Sequence, residues 1–94
     1  MNEFALDILT PAARVFQGRA TMLVAPGRDG YFGVLRGHLS MVAALKAGRI
    51  RIQGAEGGRE WLCGAGVASV EPERVTLLVE SLKEDAVQSP VSVK

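Results

Sequence analysis

Four glycines, Gly27, Gly30, Gly33 and Gly37, fall within eleven residues of the segment Ala25-Pro26-Gly27-Arg28-Asp29-Gly30-Tyr31-Phe32-Gly33-Val34-Leu35-Arg36-Gly37-His38. Glycines at such density can cradle a phosphate, but only if a helix starts directly behind the loop and aims its N–H groups and dipole at the anion. Here Tyr31-Phe32-Gly33-Val34-Leu35 continues as strand, and no Gly-Lys-Ser/Thr follows. The segment therefore reads as two tight turns. His38 is the only histidine and Cys63 the only cysteine, which leaves no ligand set for structural zinc and no disulfide framework. Nothing in the spacing brings Cys63 to His38 as a nucleophile–base pair. Cys63 follows Leu62 on a strand and reads as a small buried hydrophobe. Trp61 and Tyr31 offer rings that stack on a sugar or a base, yet two isolated aromatics do not make a platform. Asp7, Asp29, Glu56, Glu60, Glu71, Glu73 and Glu80 are scattered over many turns, with no assignable acid–base pair. No active site and no cofactor site are expected.

The elements that position these residues are short. Pro11, Gly18, Pro26-Gly27, Gly48, Gly54, Gly57-Gly58, Gly64, Gly66 and Pro72 punctuate runs that alternate with period two. Phe4, Leu6 and Ile8 share one face, with Asp7 opposite. Ala20, Met22 and Val24 alternate with Thr21 and Leu23. Ile50 and Ile52 alternate with Arg49, Arg51 and Gln53, and Val75, Leu77 and Val79 with Thr76, Leu78 and Glu80. Helix formers occur only at residues 39–46 and 81–87, and neither stretch is long enough to stand alone. A flexible polar loop, residues 53–59, joins one hairpin; Glu71-Pro72-Glu73-Arg74 turns a second. The expectation is an all-β chain, a two-sheet β-sandwich or flattened barrel of about ten short strands. The sandwich is expected over residues 1–82, with a loose polar tail over 83–94.

With 94 residues the chain holds one domain, and folding hides only about 60–65% of its unfolded surface. A hydrophobic share of 48% is that of a globular protein rather than a disordered one. A net charge of +1 is no footprint for nucleic acid. Glu3 stands where a signal peptide needs a basic residue, and Met41–Leu45 is the longest strictly apolar run, far below the roughly 18 residues of a membrane helix. The chain is expected to be soluble and unsecreted, although it can sit beside a membrane by holding a partner that does. One oddity stands out. In Leu39-Ser40-Met41-Val42-Ala43-Ala44-Leu45 both alternating faces are apolar, so either this chain or another protein covers the second face.

The order Leu6-Asp7-Ile8-Leu9-Thr10-Pro11, Val15-Phe16-Gln17-Gly18, the segment from Pro26 to His38, then Ala44-Leu45-Lys46-Ala47-Gly48-Arg49-Ile50-Arg51-Ile52 resembles the amino-terminal β-sandwich of F-type ATP synthase epsilon subunits. Gly66-Val67-Ala68-Ser69-Val70-Glu71-Pro72-Glu73-Arg74-Val75-Thr76 resembles that family's last hairpin, and the likeness runs from about residue 4 to residue 80. The resemblance implies a non-catalytic part of the rotating central stalk, which grips the gamma subunit and rests on the c-ring, coupling proton or sodium flow to ATP synthesis. It implies a peripheral place on the cytoplasmic face of a bacterial inner membrane. It marks Arg28, Asp29 and Tyr31 as tips touching ring or gamma, and His38, Ser40 and Val42 as gamma contacts. It implies no small-molecule substrate and no nucleic acid. Arg36 stands where the family commonly has proline, so a looser turn with an extra positive charge is expected there. Family members continue into a helical hairpin; residues 81–94 lack its periodicity, so neither hairpin-based inhibition nor ATP binding is expected. The other reading of the residues is a small carbohydrate-type binding sandwich built on Trp61 and Tyr31.

Overall fold

A computed structural model describes residues 2–37, 39–55 and 57–84. Ten strands follow one another: β1 (Phe4–Leu9), β2 (Arg14–Ala20), β3 (Met22–Gly27), β4 (Gly30–Val34), β5 (Met41–Leu45), β6 (Gly48–Gly54), β7 (Gly57–Cys63), β8 (Gly66–Glu71), β9 (Arg74–Val79) and β10 (Leu82–Glu84). There is no helix among the described residues, and none is long and apolar enough to cross a membrane. The expected all-β sandwich is what forms. The helix formers of residues 39–46 are overridden because β5 has a partner for every residue in β8, from Met41–Val70 to Leu45–Gly66.

The strands form one hydrogen-bonded path, β10-β7-β6-β3-β5-β8-β9-β1-β2, with β4 added beside β3. The path bends at β3. Met22, Leu23 and Val24 pair with β6, whereas Gly27 pairs with Leu45 of β5. One layer is thus β5-β8-β9-β1-β2 and the other β4-β3-β6-β7-β10. β1 runs parallel to β9 and antiparallel to β2, with a bulge between Ile8 and Leu9. A parallel pair needs a long crossover, and here everything from β2 to β8 supplies it.

The core lies between the layers. Leu6 and Ile8 of β1, Leu23 of β3, Ile50 of β6, Trp61 of β7 and Leu77 of β9 are all buried in one apolar cluster. Each such side chain contributes about 1.5–3 kcal/mol of burial. The alternation of β6 and β9 therefore reads true. At residues 20–25 it does not: Ala20 closes β2, the chain turns at Thr21, and the inward phase passes to Leu23 and Ala25 while Met22 and Val24 face out. A turn in mid-pattern shifts a period-two register by one and exchanges the two faces.

Three further expectations are revised. The loop between β6 and β7 is shorter than residues 53–59, because the ladder continues to the pair Gly54–Gly57. The sheet continues past residue 82, since Lys83 and Glu84 of β10 pair with Leu62 and Trp61; the rest of the expected tail lies outside the described residues. The turn at Arg36 is tied down rather than loose. Arg36 Nη2 meets Glu73 Oε2 at 3.4 Å, and the Gly37 N–H donates to Pro72 O at 2.8 Å. Gly37 sits at φ 84°, a left-handed conformation that suits glycine.

Candidate functional site

Paired residues in adjacent strands point to the same face. That rule builds two rungs on the outer face of the β5-β8-β9-β1 layer. The first is Ala44, Val67, Leu78 and Leu9, paired in that order across the four strands. The second is Val42, Ser69, Thr76 and Asp7. Val42 is 75% exposed, Leu78 53% and Val67 43%. A shallow groove of about 350 Å³ continues the apolar rung, lined by Leu9, Thr10, Pro11, Ala65, Gly66, Val67, Leu78, Val79 and Glu80. The polar edge includes Asp7, whose Oδ2 accepts from Arg74 Nη1 at 3.0 Å. An apolar centre with a charged border has the anatomy of a protein-docking surface.

The second apolar face of residues 39–45 is therefore not covered by the described residues: Val42 and Ala44 of β5 are exposed, and Leu39 is 83% exposed just before it. Ser40 and Val42 come together beside Ser69, Glu71 and Pro72 in a second shallow groove. His38 lies outside the described residues. Sequence reasoning missed Val67 and Leu78. The signal was present, since Leu78 breaks the alternation of β9 with an apolar residue on the outward phase, but its register with β5 is decided only by the fold.

Arg28, Asp29 and Tyr31 lie at the other end of β5, which five strand residues place roughly 15 Å from Ser40. Arg28 and Asp29 form a two-residue turn closed by the pair Gly27–Gly30. A Cβ on Gly27 would stand 2.7 Å from the Gly30 carbonyl oxygen, so glycine is needed there. The Arg28 N–H donates to Ala44 O, and the Lys46 N–H to Pro26 O, both at 2.9 Å, which fixes the turn over the end of β5. Both turn side chains are exposed. Tyr31 is exposed too, at 57%, but its ring is anchored at the tip of the side chain. Its hydroxyl accepts from the Arg49 N–H at 3.0 Å, and it lies close against Gly48, where a Cβ would come within 2.9 Å of the hydroxyl.

The outer face of the other layer carries a charge cluster. Glu60 of β7 accepts from Arg49 Nη1 at 3.1 Å and from Arg51 Nε at 2.9 Å. These contacts hold its carboxyl below the ordinary 4.5; the Arg49 hydrogen bond is the largest cause, partial burial opposes it, and the Arg51 bond and both cationic charges add to the lowering. A carboxylate with a depressed folded pKa stabilises the fold above its unfolded pKa and loses that contribution as pH falls through the folded value. Thermal unfolding followed from about pH 6 to about pH 3 is expected to show a decline in Tm that is shallower in Glu60→Gln. Identical slopes would remove the cluster from the acid response.

Cys63 is buried, and burial pushes its thiol above the ordinary 9.0, so it is a poor nucleophile. Trp61 is 2% exposed. The carbohydrate reading is overturned by that burial, because an indole enclosed in the core presents no face for stacking. Among the described residues no cluster of His, Cys, Asp and Glu suits a metal ion.

Residues 3–85 match the family described as the ATP synthase delta/epsilon chain, β-sandwich domain. The chain is similar to the ATP synthase epsilon chain of Desulforapulum autotrophicum, 43% identical over 77 residues, which covers 81% of this chain and 57% of that one. It is also similar to the epsilon chain of Chlorobium limicola, 35% identical over 80 residues and covering 84% of this chain and 91% of that one. The chain thus spans under two thirds of the first of these relatives and nearly all of the second. Among solved structures it resembles a chain of the Euglena gracilis mitochondrial ATP synthase, with TM-score 0.84 and 17% identity over 98% of this chain and 57% of that chain. At that identity the likeness speaks for the fold.

Proposed function

The chain belongs to the ATP synthase delta/epsilon family, and from that premise we propose that it is the epsilon-type, non-catalytic part of the central stalk of an F-type ATP synthase. In this reading it binds the gamma subunit through the Val42, Ala44, Val67 and Leu78 face and meets the c-ring with the Arg28-Asp29 turn, with Tyr31 bracing that turn. It passes torque between ring and catalytic head while ions flow, and it sits on the cytoplasmic face of a bacterial inner membrane, held there by the complex. The choice between proton and sodium belongs to the ring.

The observation that carries the reading is the exposed apolar rung. A row of Ala44, Val67 and Leu78 facing water, continued by half-buried Leu9, on a small domain calls for a partner, and a gamma-type subunit is the partner this reading assigns. The body behind it suits the task. Two layers with an interlocked apolar core deform little, so a load applied at the Arg28-Asp29 turn reaches the opposite end of β5 without being absorbed.

The test is co-expression of the 94-residue chain with the gamma subunit of the same organism, followed by affinity purification. Stoichiometric recovery of gamma is the expected result; its absence sinks the gamma assignment. Replacing Arg28, Asp29 and Tyr31 together is expected to weaken assembly with the ring-containing complex while gamma is still recovered. Unchanged assembly would refute the ring-facing role of that turn.

A further inference from the structure

The strand path ends on β2 at one side and β10 at the other, and among the described residues no ladder joins the two ends. Between these ends, β2 faces the β6–β7 hairpin across a seam. Phe16 of β2 stands edge-on to Trp61 of β7, with ring centroids 5.3 Å apart and planes at 63°. β10 pairs with β7 only from Trp61 to Cys63, so β7 from Gly57 to Glu60 has no described neighbour on that side. Unpaired strand edges invite foreign strands and fraying, and folds blunt them in one way or another.

Arg59 lies in this uncovered stretch, on the inward phase shared with Trp61. Its guanidinium carbon is 5.3 Å from the centroid of Phe16 and 4.9 Å from that of Trp61. The same group meets Glu84 Oε2 through Nη2 at 3.2 Å. One side chain of β7 thereby reaches β2 through Phe16 and β10 through Glu84. Beside it a cleft of about 680 Å³, between β2 and the β6–β7 hairpin, is lined by Phe16, Gly18, Arg19, Ile52, Gly54 and Arg59 among others. The seam therefore has room to widen.

We propose that Arg59 is a latch that closes this seam with side chains where no backbone ladder joins the described strands, and that the seam is where the fold opens first. The closure is weak by construction. Arg59 and Glu84 are both substantially exposed, which screens their attraction, and the cation–π contacts are those of a half-solvated group. Among the described residues a salt-sensitive clasp, rather than a ladder of backbone hydrogen bonds, holds the two ends together. This proposal is independent of the partner assigned above.

Trp61 is the only tryptophan, so it reports on the seam directly. Acrylamide quenching of its fluorescence is measured together with hydrogen exchange followed by mass spectrometry, on the 94-residue chain and on Arg59→Ala, Arg59→Lys and Phe16→Leu. In Arg59→Ala, exchange of β2 and β10 is expected to rise by about threefold to tenfold, with β8 and β9 unchanged, and quenching to rise with it. Arg59→Lys, which keeps the charge and loses the planar stack, is expected to open the seam as well. The Arg59→Ala/Phe16→Leu double variant is expected to open little further than either alone, because both act on one contact. Unchanged quenching and exchange, an equal rise across β8 and β9, or additive effects of the two substitutions would each overturn the latch.

Discussion

Gly66→Ala is expected to lower the unfolding free energy by about 3 kcal/mol or more. Gly66 opens β8, between Leu45 of β5 and Val79 of β9. A Cβ there would run into the Leu78 carbonyl oxygen and stand 2.7 Å from Val79 Cα. These are backbone atoms in the ladder of the central strands, so no rotamer change relieves the clash. Overpacking commonly costs about 1–3 kcal/mol, and a clash with fixed backbone lies at or above the upper end. The whole domain has a stability of about 5–14 kcal/mol at its size, so a loss of about 3 kcal/mol or more is a large share of it. Urea unfolding measures it. Gly33→Ala is the control: its Cβ would meet only the Leu23 carbonyl oxygen, at 3.8 Å, and the expected change is within about 1 kcal/mol. Equal effects of the two substitutions would mean that the β8–β9 backbone yields, against the picture of a stiff body.

Val42→Asp is expected to abolish gamma recovery while the domain stays folded. Val42 is three-quarters exposed, so a carboxylate costs the free chain little, within about 0.5 kcal/mol for a surface change. In a closed interface the same carboxylate would be stripped of water without a cation. Uncompensated buried charge costs about 3–5 kcal/mol, and even the lower figure weakens binding by about a hundredfold. Leu78→Glu, on the neighbouring rung, is expected to act the same way. Lys83→Glu reverses a charge on the other layer and is expected to leave recovery intact. Full recovery with Val42→Asp would place the gamma contact elsewhere on the sandwich.

Much of the strand layout was legible because each alternating run reports its own half-burial. Ile50 and Ile52, or Val75, Leu77 and Val79, need no knowledge of the rest of the chain to declare an inside and an outside. The turn at Glu71-Pro72-Glu73-Arg74 is equally local, since proline presets its backbone. Local patterns fail where the chain turns without announcing it. Thr21 carries no glycine or proline, so the phase exchange between Ala20 and Leu23 went unread. They fail again where burial depends on a distant strand: Trp61 is enclosed because Phe16, 45 residues earlier, stands across the seam. Tyr31 read as an exposed residue and is one, but that its hydroxyl is held by the Arg49 N–H is decided only by the fold.

The residues alone determined that this chain is built of short strands, that the glycine-rich segment from Pro26 to His38 turns tightly, that the run from Leu39 to Leu45 is apolar on both faces, and that the chain resembles the epsilon sandwich. Tertiary structure decided which of those faces stays in water. It aligned Val67 and Leu78 with Ala44, and among the described residues it left β2 and β7 joined through Arg59 rather than by a ladder. The reason is physical: alternation is a property of one strand, whereas a surface is made by register between strands, and register is a non-local choice settled by the packing of the core as a whole.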